Sequence, residues 1–346
     1  MVTLSIIIPI YNVEKYLDEC LRSVTGIDDI EIILVDDCTP DKSMEIARLY
    51  IEKYDNIKLI THSANKGLGA ARNTGIENAT GKYIFFLDSD DYVDTTKLKP
   101  LLDTLQKINY DQILISFIRF SEEEGNWSLE YEKIYSKHNG KVLNRSNFNT
   151  LATVINLSQI RIIKRDKILS DDIRFPCGLY EDVLWSYWFS YSCESTLVLD
   201  NRIYFYRQRP GSILGSTSKR HIEIIKQYQQ TMDLFKSKNV PLEIISILEH
   251  RFIIATKWVL FKTQRIPLGI QRDFSLQIIE KMEFFLLNKS SHIKQLNTDL
   301  LKKSQKIEKL DTAFSYLTSI RFRYNPIKKI KAFNQLMKIY YSLKDK

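Results

Sequence analysis

The sequence is poor in the residues that several architectures depend on. Its 346 residues hold only 11 glycines and 8 prolines, too few for a collagen-like or low-complexity chain. Its four cysteines, Cys20, Cys38, Cys177 and Cys193, form no C-x-x-C pair. No pair of histidines at metal-ligand spacing accompanies them, so neither a zinc ribbon nor a redox dithiol is supported, and reduced thiols in the cytosol fit best. No stretch approaches the roughly 18 consecutive apolar residues of a membrane-spanning helix. The N-terminus lacks a basic region and its apolar run stops at Pro9, which argues against a signal peptide. The expectation is a cytoplasmic protein without a span, working in solution or at the inner face of the plasma membrane.

What is present is a globular composition with 44% hydrophobic and 27% charged residues. At about 100–200 residues per domain the length admits one large domain or two modest ones. The net charge of +8 is unevenly distributed. Residues 1–110 carry 12 basic and 18 acidic side chains (net −6), residues 111–280 carry 23 and 19 (+4), and residues 281–346 carry 15 and 5 (+10). A basic terminal region suits an anionic surface, although a solvated helical face has the same composition.

The first 110 residues alternate two patterns. Apolar runs at Leu4–Ile10, Glu31–Val35, Ile57–Ile60 and Tyr83–Leu87 are short and continuous, as strands buried on both faces are. Amphipathic stretches at Glu14–Val24, Lys42–Lys53 and Leu68–Asn78 lie between them. This order predicts a mostly parallel sheet under helices, whose ligands bind at the carboxyl ends of the strands. Asp111 to about Ser136 reads as a hairpin turning near Gly125, Gly178–Ser192 as a helix and Leu197–Arg207 as a strand. Beyond Lys219 the pattern is helical. The expected division is an α/β domain over 1–215 and a helical region over 216–346.

Four strand ends offer polar groups to one crevice: Tyr11-Asn12, Asp36-Asp37, Asn65-Lys66-Gly67 and Asp88-Ser89-Asp90-Asp91. Any one of them also reads as a turn or helix cap. Two carboxylates spaced as Asp88 and Asp90 repel unless compensated, and Mg²⁺ or Mn²⁺ bridging to a nucleoside diphosphate is the natural compensation. Gly67-Leu68-Gly69-Ala70-Ala71-Arg72 begins like a dinucleotide fingerprint but fails at its third glycine, where Arg72 stands. Lys66 and Arg72 suit an anionic or uracil-bearing ligand, or simply an exposed helical turn. Glu181-Asp182 precedes an aromatic helix, where a carboxylate serves either as a general base or as a charge complementing the helix dipole. Tyr206-Arg207-Gln208-Arg209-Pro210-Gly211-Ser212 ends a strand in a basic turn able to clamp a diphosphate or to cover the sheet edge. His221, close by, reads as a surface histidine.

In this order the motifs resemble the family 2 glycosyltransferases of the GT-A fold, over roughly the first 215 residues. The resemblance implies an inverting transfer of one sugar from UDP-glucose, UDP-galactose or an N-acetylhexosamine donor to a hydroxyl of a cell-surface, lipid-linked or protein-linked glycan. It implies that Pro9, Tyr11 and Asn12 line the nucleotide pocket and that Asp37 reads the uracil. Lys66 and Arg72 assist with base or phosphates. Asp88 lies by the ribose in the same donor-binding turn as Ser89, and Asp90 ligates Mn²⁺ or Mg²⁺. Asp182 is the base, Glu181 orients or binds the acceptor, and Arg207 and Ser212 belong to a loop over the diphosphate. The family's Asp-Asp-Gly-Ser reads Asp36-Asp37-Cys38-Thr39 here, and the Gln-x-x-Arg-Trp motif of processive synthases is absent.

Two competing readings remain at this level. An Asp-x-Asp after a buried strand also serves phosphoryl transfer in haloacid-dehalogenase-type enzymes, and a non-catalytic glycan-binding or scaffold module would use the basic helices alone. The aromatic and basic stripes at Ile320–Phe333 and Leu336–Lys344 fit a membrane surface, packing on the chain's own domain, or a homo-oligomer. Nucleic acid is not an expected partner, because no recognition motif accompanies the charge.

Overall fold

A computed structural model describes residues 2–121, 125–127, 132–209, 212, 216–259, 265–267, 270, 273–274 and 277–278. The chain divides into two compact units, Met1–Pro210 and Gly211–Lys346. The first opens with β1 (Leu4–Ile10), α1 (Leu17–Arg22), β2 (Ile30–Asp36), α2 (Ser43–Lys53), β3 (Ile57–Thr61), α3 (Leu68–Asn78) and β4 (Tyr83–Phe86). It continues through β5 (Tyr92–Val93), α4 (Thr95–Lys107), β6 (Gln112–Ser121), β7 (Gly125–Trp127), α5 (Glu132–His138) and β8 (Val142–Leu143). After α6 (Phe148–Leu151), β9 (Arg161–Lys164), α7 (Arg165–Asp171) and α8 (Asp182–Ser192), β10 (Thr196–Gln208) completes the sheet.

Its strands lie in the order β3-β2-β1-β4-β9-β6-β10-β5, with β7 on β6 and β8 on β10. The first four are parallel, as are β6 and β10, whereas β9 runs antiparallel to both β4 and β6. The parallel strands run apolar throughout because helices cover both faces. Leu4, Ile6, Ile8 and Ile10 of β1 join one core with Leu17, Leu21, Ala47 and Leu98. The alternate residues face the other way, where a Cβ on Gly75 of α3 would lie 2.3 Å from Ile7 and Phe86 meets Trp185 of α8 edge-on. Pro9 is tolerated in a central strand because it shares parity with Ile7, whose carbonyl accepts the Leu87 amide. Its missing N–H therefore falls one step beyond the last β1–β4 pair, Ile7 with Phe86.

Register brings the strand ends together: Ile10 pairs with Asp36 and Asp36 with Thr61, so Tyr11, Asp37 and His62 follow side by side. Two expectations change. β3 is an edge strand with Lys58, Leu59 and Thr61 exposed, so it is not buried on both faces. The second hairpin strand is Gly125–Trp127, paired to β6, while Glu132–His138 is helical. Its inward residues are Ile134, Tyr135 and His138, a helical spacing that overrides the local strand-like alternation.

The second unit's described helices are α9 (Glu223–Ser237) and α10 (Leu242–Lys257), packed through contacts such as Tyr228 with Phe252 at 5.5 Å. His221 is buried rather than superficial, its Nε2 2.8 Å from the Ser216 carbonyl. Among the described residues no helix is long and apolar enough to cross a membrane. The basic stripes at 320–333 and 336–344 lie outside the described residues.

Candidate active site

The turn after β4 carries the densest charge. Asp91 is fully buried and accepts the Tyr204 hydroxyl and, at 2.7 Å, the Arg207 amide. Burial, then Asp90 and Asp88, push its carboxyl well above the usual range. With the Asp88 amide donating to the Tyr204 oxygen at 3.4 Å, β10 holds this turn in place from beneath. The other two carboxylates point elsewhere. Asp88 Oδ1 accepts Arg72 Nη2 at 2.8 Å, and its Oδ2 accepts the Gln159 amide. Asp90 Oδ2 accepts Arg209 Nε at 2.7 Å. Burial and Asp88 raise the Asp90 carboxyl, with Arg209 opposing them.

Arg72 is the hub. Only 1% exposed, it lies against Phe175 and Phe86, its guanidinium carbon 5.3 and 5.9 Å from their ring centres. Its second nitrogen donates to Glu181 Oε1 at 2.5 Å. Burial disfavours the cation, but Asp88, Glu181 and Asp182 more than offset this and hold its pKa above the ordinary arginine value. The sequence suggested an arginine presented to a ligand; here it joins two protein carboxylates 93 positions apart. Glycine makes this approach possible. A Cβ on Gly69, in the first turn of α3, would lie 2.7 Å from the Pro176 carbonyl oxygen and 3.3 Å from Glu181 Cβ. Of the two glycines that imitate a dinucleotide fingerprint, Gly69 thus serves packing of the 175–181 segment against α3, while Gly67 supplies the positive φ of 89° at which the helix starts. Gly69→Ala is expected to cost about 1–3 kcal/mol of stability in urea denaturation, with a parallel loss of activity as Glu181 is pushed away.

Glu181 is buried and its carboxyl is raised by burial, with Arg72 pulling the other way. Asp182, the first residue of α8, is half-buried. Its carboxylate is in no hydrogen bond or ion pair with another described residue. Burial and the neighbouring Glu181 raise it well above the carboxylate range. Tyr180, just before the pair, adopts a left-handed backbone with φ 62°, a conformation aromatic residues rarely take and one that concentrates at functional sites.

Just past the end of β2 Asp37 is buried and already engaged. Its Oδ1 lies 2.7 Å from His62 Nδ1 and accepts the Lys66 amide, and its Oδ2 accepts the Gly67 amide, both at 2.8 Å. Asp37 therefore fixes the loop entering α3. Tyr11, Asn12 and Lys66 are exposed around it and Pro9 is buried in β1. Cys38 is exposed in a left-handed backbone with φ 59°, which explains why the related motif carries glycine there. Ser89 is buried in the Asp88 turn.

Arg207 differs from the expectation of a residue facing a ligand. It is 5% exposed, donates to the Asp90 carbonyl at 2.9 Å and to Glu19, and lies 4.7 Å from the Phe120 ring. Ser212 is half-buried in the second unit, and residues 210–211 and 213–215 lie outside the described set. Two residues were not singled out by sequence: Gln159 and Arg209. A glutamine in a 3-10 turn gives no motif, and Arg209 stood beside the more recognisable Arg207.

Among the described residues no group of three His, Cys, Asp or Glu side chains forms a protein-only metal cage. The donor set fits a different arrangement. Asp90 already holds a cationic partner at its carboxylate, as one or two carboxylates completed by water and phosphate oxygens would hold Mg²⁺ or Mn²⁺.

Comparison with known proteins identifies the family and the fold. The sequence model of the family described as Glycosyl transferase family 2 matches residues 5–168. The chain is 34% identical over 236 residues to "Uncharacterized glycosyltransferase EpsJ" of Bacillus subtilis, covering 65% of this chain and 67% of that protein. It is 28% identical over 253 residues to "Minor teichoic acid biosynthesis protein GgaB" of the same organism, covering 67% of this chain and only 27% of that one. A crystal structure of S. aureus TarS 1–349 in complex with UDP-GlcNAc superposes with a TM-score of 0.64 at 22% identity, over 98% of this chain and 91% of that one. At that identity the likeness is one of fold.

Proposed function

The chain belongs to glycosyl transferase family 2, and on that premise we propose that it transfers a single hexosyl or N-acetylhexosaminyl group from a UDP-sugar to a hydroxyl of a cell-surface glycan. The observation that carries this reading is the Arg72 bridge. By joining Asp88 to Glu181 it brings the aspartate turn after β4 and the acids at the start of α8 to one site. Asp182, adjacent to Glu181 and free of hydrogen-bond partners among the described residues, can then face the donor's reacting carbon.

In this proposal Asp182 takes the proton of the acceptor hydroxyl. The acceptor oxygen attacks the anomeric carbon from the face opposite the diphosphate, the bond from that carbon to UDP breaks, and the configuration inverts. Glu181 is occupied by Arg72, so proton acceptance falls to its neighbour. Tyr11 and Asn12, with Pro9 behind them, and the Asp37–Lys66 loop would form the nucleotide end, and Asp88 with Ser89 the ribose side. Mn²⁺ or Mg²⁺ bound at Asp90 beside Asp88 would neutralise charge on the departing diphosphate. A TarS structure with UDP-GlcNAc supports the donor class. The name of GgaB supports a cell-envelope acceptor. The 15 lysines and arginines of residues 281–346 suit an anionic membrane surface that presents lipid-linked acceptors.

The test is a panel of UDP-sugars with the purified full chain and Mn²⁺, scored for UDP release. One or two donors are expected to be consumed, with the release abolished by EDTA and restored by Mn²⁺. Release of inorganic phosphate through a phosphoaspartate at Asp88, without UDP, would overturn the reading in favour of phosphoryl transfer.

A further inference from the structure

The two carboxylates of Asp88-Ser89-Asp90 are neutralised in different ways. Asp88 is held by Arg72 and Gln159, 1% and 4% exposed, whose positions are fixed by the surrounding core. Asp90 is held by Arg209 alone among the described cations, at 2.7 Å, and both of these side chains keep a fifth to a quarter of their surface exposed. Arg207 and Arg209 are two residues apart at the end of β10 and therefore share a face. Both stack on Tyr16, at 5.1 and 5.0 Å. Arg207 is then closed in by Phe120 and tied to Glu19 and to the Asp90 carbonyl. Arg209 has passed the last residue of the strand, and its side-chain partners among the described residues are Asp90 and the Tyr16 ring.

We propose that Arg209 is a displaceable counter-ion, which occupies the Asp90 carboxylate in the donor-free protein and, when a cation-bound nucleoside diphosphate arrives, yields Asp90 to the cation and turns to the diphosphate. Asp90 then has a cationic partner in both states, so its partly buried charge is never left uncompensated. The planar guanidinium matches phosphate oxygens as it matches the carboxylate. This assigns to Arg209 the diphosphate contact that the motif alone suggested for Arg207. It rests on the proposed cation-dependent UDP site.

The experiment uses the full chain without acceptor, with Mn²⁺ binding followed by electron paramagnetic resonance and UDP binding by calorimetry. Arg209→Gln is expected to bind Mn²⁺ alone about fivefold more tightly, since its competitor is gone. The same variant should bind UDP in saturating Mn²⁺ about tenfold more weakly, the equivalent of one lost charge-assisted hydrogen bond. Uridine binding should not change. Arg209→Lys should restore the Mn²⁺ competition but only part of the UDP affinity. Wild-type-like Mn²⁺ and UDP affinities in Arg209→Gln, with Asp90→Asn abolishing Mn²⁺-dependent UDP binding, would overturn this inference and leave the site reading intact. Mn²⁺-dependent UDP binding that survives Asp90→Asn would remove the site reading, and this inference with it.

Discussion

Asp182→Asn is expected to lower kcat by about 10²–10⁴-fold, the usual contribution of a positioned general base, while leaving UDP affinity in Mn²⁺ unchanged. The substitution keeps the shape of the side chain and removes only its capacity to accept a proton. Loss of fold cannot imitate the result. Burial and Glu181 raise the folded pKa of Asp182 above its unfolded value, so the ionised group weakens the native state at every pH above the unfolded value. The neutral amide removes that penalty, and a thermal melt at neutral pH should give a Tm equal to or above that of the wild type. The same shift sets the pH dependence. Because the base must be ionised to act, kcat should fall as pH drops through a raised carboxyl pKa, giving an acidic limb above the ordinary aspartate range. Full transfer by Asp182→Asn, or an acidic limb at the ordinary aspartate value, would exclude Asp182 as the base.

Arg72→Met carries the second large effect, on stability as well as activity. Arg72 bonds both Asp88 and Glu181 and lies against two aromatic rings, with 1% of its surface exposed. Removing it leaves two carboxylates, one of them buried, without their cation, a loss of about 3–5 kcal/mol by analogy with other broken buried ion pairs. Methionine fills the slot between the rings, so the loss measures charge more than volume. Urea denaturation should show a lower midpoint. Adding Glu181→Gln to Arg72→Met should recover about 1–3 kcal/mol, because the pair is coupled through direct contact. Arg72→Lys keeps the charge without the fork that reaches two partners at once, and should fall between the two. An unaltered midpoint in Arg72→Met would show that the bridge does not hold the site together.

The parallel half of the fold was legible because its physics is local. β1, β2 and β4 are covered on both faces, and such strands appear in sequence as unbroken apolar runs. β3 was legible as a strand but not as an edge, since exposure depends on which strand lies beyond it. Glu132–His138 misled because Leu129, Tyr131, Ile134 and Tyr135 suggest a half-buried strand, whereas the surface available to residues 132–138 accommodates a helix. The candidate carboxylates were legible for a related reason: each polar run follows a buried apolar strand, and several such runs at the carboxyl ends of one parallel sheet mark where its ligands bind.

The partners of those carboxylates could not be read in the same way. Asp88, Asp90, Asp182 and Glu181 announce themselves by position after a strand or before a helix, so the sequence alone located the acids and the α/β order that aligns them. Which cation meets which acid was decided only by the tertiary structure. Arg72 reaches Glu181 across 109 positions, Arg209 reaches Asp90 across 119, and Arg207 reaches Glu19 across 188. Separations of that size leave no periodicity in the chain. The choice follows from burial: an arginine against aromatic rings under the sheet must take the nearest carboxylates as counter-ions, whereas one at a strand's end keeps solvent as an alternative.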